Sequence, residues 1–272
     1  MAVLHYVTES IAYAVAANMD NGADDYHLET AVSKIFASES AWTVVDEAIQ
    51  ILGGHGYMRE AGLEKRLRDL RIFRIFEGTN DILRLFIALT GLQFAGGHLR
   101  QMVDNLVKRP LAHPDLIVKE GKKRTLRALG LNSSSGVSLE PLVHSELGLA
   151  ARKIDRAICD FGVGAEILLR KYGKGIVDEQ FRLKRVADCV IDLYASVCVL
   201  ARANRALEMA TPSARHESLM ARLWCDGAAE RISACLAEID GKTADGQFRL
   251  MREISQNVVE AGGPVQSHPL GV

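Results

Sequence analysis

Residues 71–81 are the stretch whose residue types and order are best suited to chemistry. They place one carboxylate, Glu77, between a run of apolar residues and a Gly-Thr helix start. Apolar surroundings disfavour the charged form of a glutamate and raise its pKa toward the range of a general base. The alternative is a buried loop in which Arg71 or Arg74 neutralises Glu77. The apolar residues of the run are Ile72, Phe73, Ile75 and Phe76.

The residues that follow Glu77 predict a helix start beside it. Gly78 removes side-chain bulk next to the carboxylate. Thr79, or Asn80 and Asp81 after it, can cap a helix over residues 82–92. The unpaired N–H groups at such a helix start would point back toward Glu77 and toward a ligand bound there.

Gln50, Gly53 and Gly54 form a second informative group, at the end of a long helix predicted for residues 26–52. Two glycines without Cβ atoms allow the backbone to approach a large ligand closely, and a glutamine amide both donates and accepts hydrogen bonds. The alternative is that the glycine pair only ends the helix, since glycine is common at that position.

A cluster of charged residues extends along the chain up to Glu77. Its basic members could face phosphates, whereas the acidic residues interleaved with them favour local ion pairs. The basic members are Arg66, Arg68, Arg71 and Arg74, and the acidic ones are Glu64, Asp69 and Glu77.

Composition limits the class of protein. The chain has 272 residues, 48% of them hydrophobic, so it can bury a sizeable core. Its formal net charge of −1 provides no global field that would attract nucleic acid. The five cysteines contain no C-x-x-C pair, so we predict free thiols and no metal site. Abundant Ala and Leu with only six prolines favour helices.

Apolar periodicity predicts an all-α protein with two helical units and a linker. The first unit covers residues 1–97, the linker residues 98–139, and the second unit, an up-down bundle packed on the first, residues 140–272. Further helices are predicted over residues 3–17, 63–69, 140–172, 176–210, 214–239 and 247–261, with a loop over residues 56–62.

The predicted linker contains five basic residues and one acidic residue between positions 119 and 127, flanked by apolar residues. A short basic segment with apolar neighbours suits an anionic membrane surface. The alternative is a solvated, flexible linker. No Lys or Arg precedes Lys34, so we expect no targeting segment in this chain.

Residues 71–81, together with Ile-Gln-Ile-Leu-Gly-Gly-His-Gly-Tyr at residues 49–57, resemble the C-terminal part of the acyl-CoA dehydrogenases. The resemblance covers essentially residues 1–272, including a trailing half that shorter-chain members of that family lack. It therefore implies a C-terminal helical bundle of the acyl-CoA dehydrogenase fold with an appended helical domain, and a substrate with a long or very long acyl chain.

The resemblance also implies roles for individual residues. Glu77 is expected to accept the α-proton of the substrate, with its backbone N–H bonding the thioester carbonyl. Around it, Ile75, Phe76 and Gly78 are expected to border the acyl thioester, and Thr79, Asn80 and Asp81 to contact FAD. The segment Gln50, Ile51, Leu52, Gly53 and Gly54 is expected to contact the adenosine diphosphate half of an FAD held mainly by the other subunit of a homodimer.

The reaction implied is FAD-dependent α,β-dehydrogenation of long- and very-long-chain fatty acyl-CoA in mitochondrial β-oxidation. Electrons would pass to electron-transfer flavoprotein, on the matrix side of the inner membrane, where the linker would make peripheral contact. The alternative is a non-catalytic scaffold for dimerisation, membrane docking or complex I assembly. A third alternative is a truncated gene product, because the N-terminal parts of the family's fold are missing from this sequence.

Overall fold

A computed structural model describes residues 1–108, 138–239 and 241–271, without the side chains of residues 98–108 and Lys242. All regular structure in these residues is helical, which confirms the all-α prediction. The helices are α1 (Ala2–Asp20), α2 (His27–Leu52), α3 (Gly54–Tyr57), α4 (Leu63–Arg71), α5 (Asn80–Lys108), α6 (Gly148–Tyr172), α7 (Gln180–Glu208), α8 (Ala214–Ile239) and α9 (Lys242–Ala261). Short 3₁₀ turns cover Arg59–Ala61, Ile72–Arg74, Glu140–Leu142, Ser145–Leu147 and Gly173–Asp178.

The first helices follow the predicted pattern, with corrections between α2 and α5. Gly53 ends α2 with a φ of 56°, in the left-handed region that glycine tolerates. The loop predicted for residues 56–62 is wrong, since a helical turn and a 3₁₀ turn occupy most of it. α4 extends two residues beyond the predicted end at Asp69, and a 3₁₀ turn continues it into the apolar run.

α5 is longer than the helix predicted for residues 82–92. It begins two residues earlier, at Asn80, and passes without a break through Gly96 and Gly97 to Lys108. The end predicted for the first unit, residue 97, therefore lies within a helix. Helical hydrogen bonding tolerates two glycines at a modest cost in stability, so a glycine pair alone does not end a helix. The basic segment at residues 119–127 lies outside the described residues.

The second half begins with turns instead of the predicted helix from residue 140. Pro141 lies at the start of the first 3₁₀ turn, and His144 Nδ1 accepts a hydrogen bond from the Glu146 N–H in the second. α8 matches its predicted bounds, and α9 begins five residues before its predicted start at Gln247.

One apolar core joins the two halves of the chain. Val7 of α1, Ile35 of α2 and Ile87 of α5 belong to the same buried cluster as Ile154 of α6 and Leu183 of α7. α7 contacts α1, α2, α5, α6 and α8, so it is buried on more than one side. The second half therefore packs directly on the first.

Charged groups reinforce this junction. The Arg84 guanidinium of α5 donates to both carboxylate oxygens of Glu39 on α2, at 2.7 and 2.8 Å, and to Asp188 of α7 at 2.7 Å. One turn further along the same face of α7, Arg231 of α8 makes a bidentate pair with Asp192 at 2.8 and 2.9 Å. Bidentate arginine–carboxylate pairs fix geometry as well as contributing energy, so these contacts orient the helices that carry the candidate site.

Candidate functional site

The Glu77 backbone adopts an uncommon conformation. Its φ is 54°, and that of Gly78 is 87°. Among the described residues, Glu77 and Ala210 are the non-glycine residues with positive φ. A side chain in the left-handed region costs on the order of 1–2 kcal/mol, because its Cβ approaches the following carbonyl oxygen. The turn therefore aims the Glu77 side chain at an energetic cost.

Glu77 and its apolar neighbours face solvent. The side chains of Ile72, Phe73, Ile75 and Phe76 are 42–48% exposed, and Glu77 is exposed as well. The expected desolvation of Glu77 by this run is therefore wrong for the isolated chain, and so is the alternative of a buried loop. Phe73 and Phe76 pack edge to face with centroids 5.2 Å apart, which organises the exposed patch.

Lys34 of α2 holds the Glu77 loop in place. Its Nζ donates to the Gly78 carbonyl oxygen at 2.7 Å and to the Asn80 Oδ1 at 2.8 Å. Burial lowers the pKa of Lys34, while the negative charges of Glu39 and Glu77 oppose that shift. A single cation thus joins the loop to α2.

Asn80 also joins the Glu77 loop to α2. It is buried, and its amide donates to Ser38 Oγ at 3.0 Å and to Glu39 Oε1 at 3.1 Å. Its side-chain hydrogen bonds are therefore directed to α2 and Lys34. The predicted contact between Asn80 and FAD stays a prediction.

Thr79 caps α5, which is the first of the two predicted alternatives. Its Oγ1 accepts a hydrogen bond from the Ile82 N–H at 3.3 Å. A Cβ at Gly78 would lie 3.2 Å from the Leu83 side chain, so the turn into the helix is tight as well as left-handed. These features place the first turn of α5 directly beside the Glu77 loop.

An open cleft of about 470 Å³ adjoins this helix start. Its walls include Arg71, Arg74, Thr79, Asn80 and Asp81. The Arg74 Nε is buried and has no acceptor among the described residues. A buried donor without a partner indicates a water or a ligand atom outside the protein.

The predicted arginine cluster divides in the structure. Arg68 pairs with Glu64 at 2.9 Å, as the ion-pair interpretation predicted. Arg66 lines a separate apolar groove between α1, α2 and α4. Arg71 and Arg74 line the cleft at the start of α5, and their contact with phosphates stays a prediction.

The second predicted segment lies away from Glu77. Ile51 and Leu52 are 68% and 47% exposed at the end of α2. Gln50 lies eleven positions after Glu39, which is beside Asn80, so the rise along α2 between them is roughly 16 Å. The structure therefore does not bring residues 50–54 to the Glu77 loop.

Nothing in the described chain explains why residue 54 is glycine. A Cβ there would meet no atom within 4 Å, and Gly54 has no positive φ. Gly53 ends α2 with positive φ, as the helix-stop interpretation requires, yet it too has open space around it. The surface at both glycines is therefore free for a ligand to approach.

Sequence patterns did not identify Lys34 and Arg84, which support the loop and its helix. Each lies about 40 or more residues from its main partner, Gly78 for Lys34 and Glu39 for Arg84. The one available signal was a charged residue within an otherwise apolar helical stretch. No group of three or more His, Cys, Asp or Glu side chains suited to a metal ion occurs in the part of the chain that the structure describes.

The fold and these motifs define a class of protein. Residues 1–92 match the family described as acyl-CoA dehydrogenase, C-terminal domain, and residues 145–264 match the family described as ACAD9/ACADV, C-terminal domain. The chain therefore belongs to the acyl-CoA dehydrogenase family, which is FAD-dependent, and corresponds to its C-terminal portion.

Individual relatives narrow this assignment. The very long-chain specific acyl-CoA dehydrogenases of Rattus norvegicus and Homo sapiens, both mitochondrial, are 49% identical over 100% of this chain. The chain spans 41% of the length of each. A probable acyl-CoA dehydrogenase of Mycobacterium tuberculosis is 26% identical over 93% of the chain, which spans 41% of that relative.

Solved structures share the fold. The crystal structure of an acyl-CoA dehydrogenase from Bacillus anthracis complexed with FAD has a TM-score of 0.66 and 25% identity, covering 96% of this chain and 47% of its own. ACDH-11 of Caenorhabditis elegans in complex with C11-CoA covers 88% of this chain and 38% of its own, with a TM-score of 0.50. At 17% identity the latter shows likeness of fold alone.

Two further observations bear on the sequence predictions. All five cysteines are free thiols in the structure. Within residues 1–108, 138–239 and 241–271, no helix is long and apolar enough to cross a membrane.

Proposed function

We propose that this chain supplies one wall of an FAD-dependent active site that removes the α and β hydrogens of long- and very-long-chain fatty acyl-CoA. The observation that carries this proposal is the Glu77 loop, a carboxylate in a left-handed conformation beside an exposed apolar patch. Costly backbone conformations persist where the surrounding structure holds them, and they are concentrated at active sites. Lys34, Asn80 and Thr79 are the groups that hold this one.

Glu77 acts as the general base that accepts the α-proton. A carboxylate in water is a poor base for a C–H group, so the site must exclude water and stabilise the negative charge that develops on the thioester carbonyl. The exposed side chains of Ile75 and Phe76 provide apolar surface that the acyl thioester covers, which desolvates Glu77 when substrate binds. The Glu77 backbone N–H donates to the carbonyl oxygen, and Gly78 leaves room beside it.

FAD fits the residues present. Bound FAD supplies the acceptor for the β-hydride. Thr79, Asn80 and Asp81 line the cleft beside Glu77, and so does Arg74, whose buried Nε has no acceptor among the described residues. The open surface at Gly53 and Gly54, with the Gln50 amide nearby, receives another part of the cofactor.

The separation of the two segments supports a homodimer. Residues 50–54, at the end of α2, lie apart from the Glu77 loop. One copy of the chain therefore approaches two different FAD molecules, its own and that of its partner. The fatty acyl-CoA then lies at Glu77, and electrons pass to electron-transfer flavoprotein. The mitochondrial relatives support a mitochondrial location. Within the mitochondrion, the chain acts on the matrix side of the inner membrane, with peripheral contact through the predicted linker.

The test uses a chimera in which this chain replaces the matching C-terminal region of the rat enzyme. We expect the chimera to bind FAD and its flavin absorbance to bleach when a long-chain acyl-CoA is added. Glu77→Gln should keep the yellow cofactor and abolish bleaching, because the amide cannot accept the proton. Glu60→Gln, which removes an exposed carboxylate from a separate cleft, is the matched control and should bleach normally. Normal bleaching by Glu77→Gln would exclude Glu77 as the base.

A second candidate function is a non-catalytic scaffold for dimerisation, membrane docking or complex I assembly. The observation that favours it is α9, whose apolar face is buried at Ala244 and Phe248 but continues into exposed Met251, Ile254 and Val258. A colourless, stable dimer of the purified chain that does not confer bleaching on the chimera supports this candidate. A chimera that reduces its flavin supports the enzyme.

A further inference from the structure

Two cysteines meet where α7 and α8 pack together. Cys189 of α7 and Cys235 of α8 are near enough for each thiol to shift the pKa of the other. The Cys189 Sγ donates to the carbonyl oxygen of Ile232 at 3.9 Å, and Ile232 precedes Cys235 by about one helical turn. Both cysteines also belong to one small apolar cluster with Ala157 and Leu236. The Ile232 contact and the shared cluster therefore place the two cysteines at the same level of the packing between α7 and α8.

The two thiols differ in their access to solvent. Cys189 is 0% exposed, whereas Cys235 is partly exposed and lines an open cleft of about 490 Å³ that it shares with Trp224 and Arg231. A small solute can reach Cys235 through this cleft but not Cys189. The pair therefore has the arrangement of an outer thiol that reacts first and an inner thiol that resolves the product.

The interaction between the two thiols also makes them unequal in acidity. It lowers the pKa of Cys235, against the opposing effects of burial and of the nearby carboxylates Asp188, Asp192 and Glu238. The same interaction, together with burial, raises the pKa of Cys189. The first proton to leave the pair is therefore that of the accessible cysteine, and the thiolate is the reactive form.

We propose that Cys235 is a peroxide-sensitive oxidation site, and that it forms a reversible disulfide with Cys189 across α7 and α8. The Cys235 thiolate attacks one oxygen of hydrogen peroxide, the O–O bond breaks, and the other oxygen leaves as hydroxide, which is protonated to water. The Cys189 thiol then attacks the Cys235 sulfenic acid. The S–S bond forms, the S–O bond breaks, and a second water leaves with the Cys189 proton.

The electrons balance within this pair of reactants. Two thiols lose two electrons and two protons, and one peroxide is reduced to two waters. A small dithiol reverses the process by thiol–disulfide exchange. No other group of the protein takes part.

The helix packing is compatible with the bond. A disulfide requires Cα atoms about 4.4–6.8 Å apart. The contact between the Cys189 sulfur and the backbone of α8 shows that the two helices approach closely at this level. Buried Ala228 and Cys225 on α8, one and two turns before Ile232, keep side-chain bulk low along the same contact.

The test treats the purified chain with hydrogen peroxide, blocks remaining thiols with an alkylating agent in denaturant, and maps peptides by mass spectrometry without reduction. We expect a peptide that links Cys189 to Cys235, with the loss of two hydrogen masses, and its disappearance after treatment with a dithiol. Because it uses the unaltered chain, this measurement does not depend on whether a variant folds.

Variants then identify the order of reaction. Cys189→Ser should leave Cys235 trapped as a sulfenic acid that a dimedone reagent labels, whereas Cys235→Ser should abolish both the label and the disulfide at position 189. Cys159→Ser removes a partly exposed thiol elsewhere and should leave the disulfide unchanged. A linked peptide that joins Cys235 to another cysteine or to a second chain, or oxidation of Cys159 in preference to Cys235, would overturn the proposal.

Discussion

The contact between α7 and α8 and the surface around Glu77 are built in opposite ways. Leu183 and Val199 of α7 are fully buried, and Asp192 receives a bidentate guanidinium from α8. Around Glu77, aromatic and aliphatic side chains face solvent, and the backbone is held in a costly conformation. The first region finds its partners within this chain. The second is positioned by contacts within this chain, but its apolar side chains face solvent, where a ligand or another chain can cover them.

The largest expected effect is on the free energy of unfolding, which should differ between variants of the two regions. Leu183→Ala should lower the free energy of unfolding by about 3 kcal/mol, because it removes buried methyl groups and leaves a cavity. Phe76→Ala, although it deletes a larger side chain, should change it by less than about 0.5 kcal/mol in the isolated chain, because the ring is already exposed. Urea unfolding followed by circular dichroism measures both. Equal losses for the two variants would mean that the Glu77 surface is part of the core.

A pH experiment tests the junction between the regions. Burial favours the neutral form of Glu39, but hydrogen bonds and positive charge from Arg84, with help from Asn80 and Arg74, outweigh it and lower the pKa of Glu39 below its usual 4.5. A carboxyl whose pKa is lower in the folded state stabilises the protein above the unfolded-state pKa, and this stabilisation is lost as the pH falls through the folded-state pKa.

Glu39→Gln should therefore cost about 1.5 kcal/mol at pH 7 through the loss of charge-assisted hydrogen bonds to Arg84. The difference from the unaltered chain should shrink as the pH falls below about 4.5. Urea midpoints measured at several pH values between 7 and 3 provide the comparison, with Glu60→Gln as a control outside the junction. A constant difference across this range would contradict the assigned role of the Glu39 carboxylate.

The smallest expected effect concerns strain at the site. Glu77→Gly should raise the free energy of unfolding by about 0.5–1 kcal/mol, because glycine adopts a positive φ without the Cβ clash. Glu60→Gly, at a residue with ordinary backbone angles, should instead lower it. Thermal melts of both variants decide the sign. Destabilisation by both would mean that the Glu77 turn carries no strain and that the two regions differ only in exposure.

Much of the fold follows from local patterns. Apolar residues at helical spacing, followed within two positions by glycine, predict α2 and α8 to within a residue, because helices depend on contacts between near neighbours. The same patterns fail where a helix continues through Gly96 and Gly97, and where Pro141 replaces the start of a helix by turns. In those places the outcome depends on packing that a short window of sequence does not contain.

The same distinction applies to the candidate site. Residue types and order were sufficient to identify Glu77, the glycine pair and a helix cap among residues 79–81, because these are properties of one short segment. Exposure of the apolar run, the Lys34 and Arg84 contacts, and the distance between residues 50–54 and Glu77 required the arrangement of distant segments. Burial, ion pairing and distance are relations between segments of the chain, so only the tertiary structure determined them. The chemical groups of the site were determined by the sequence alone.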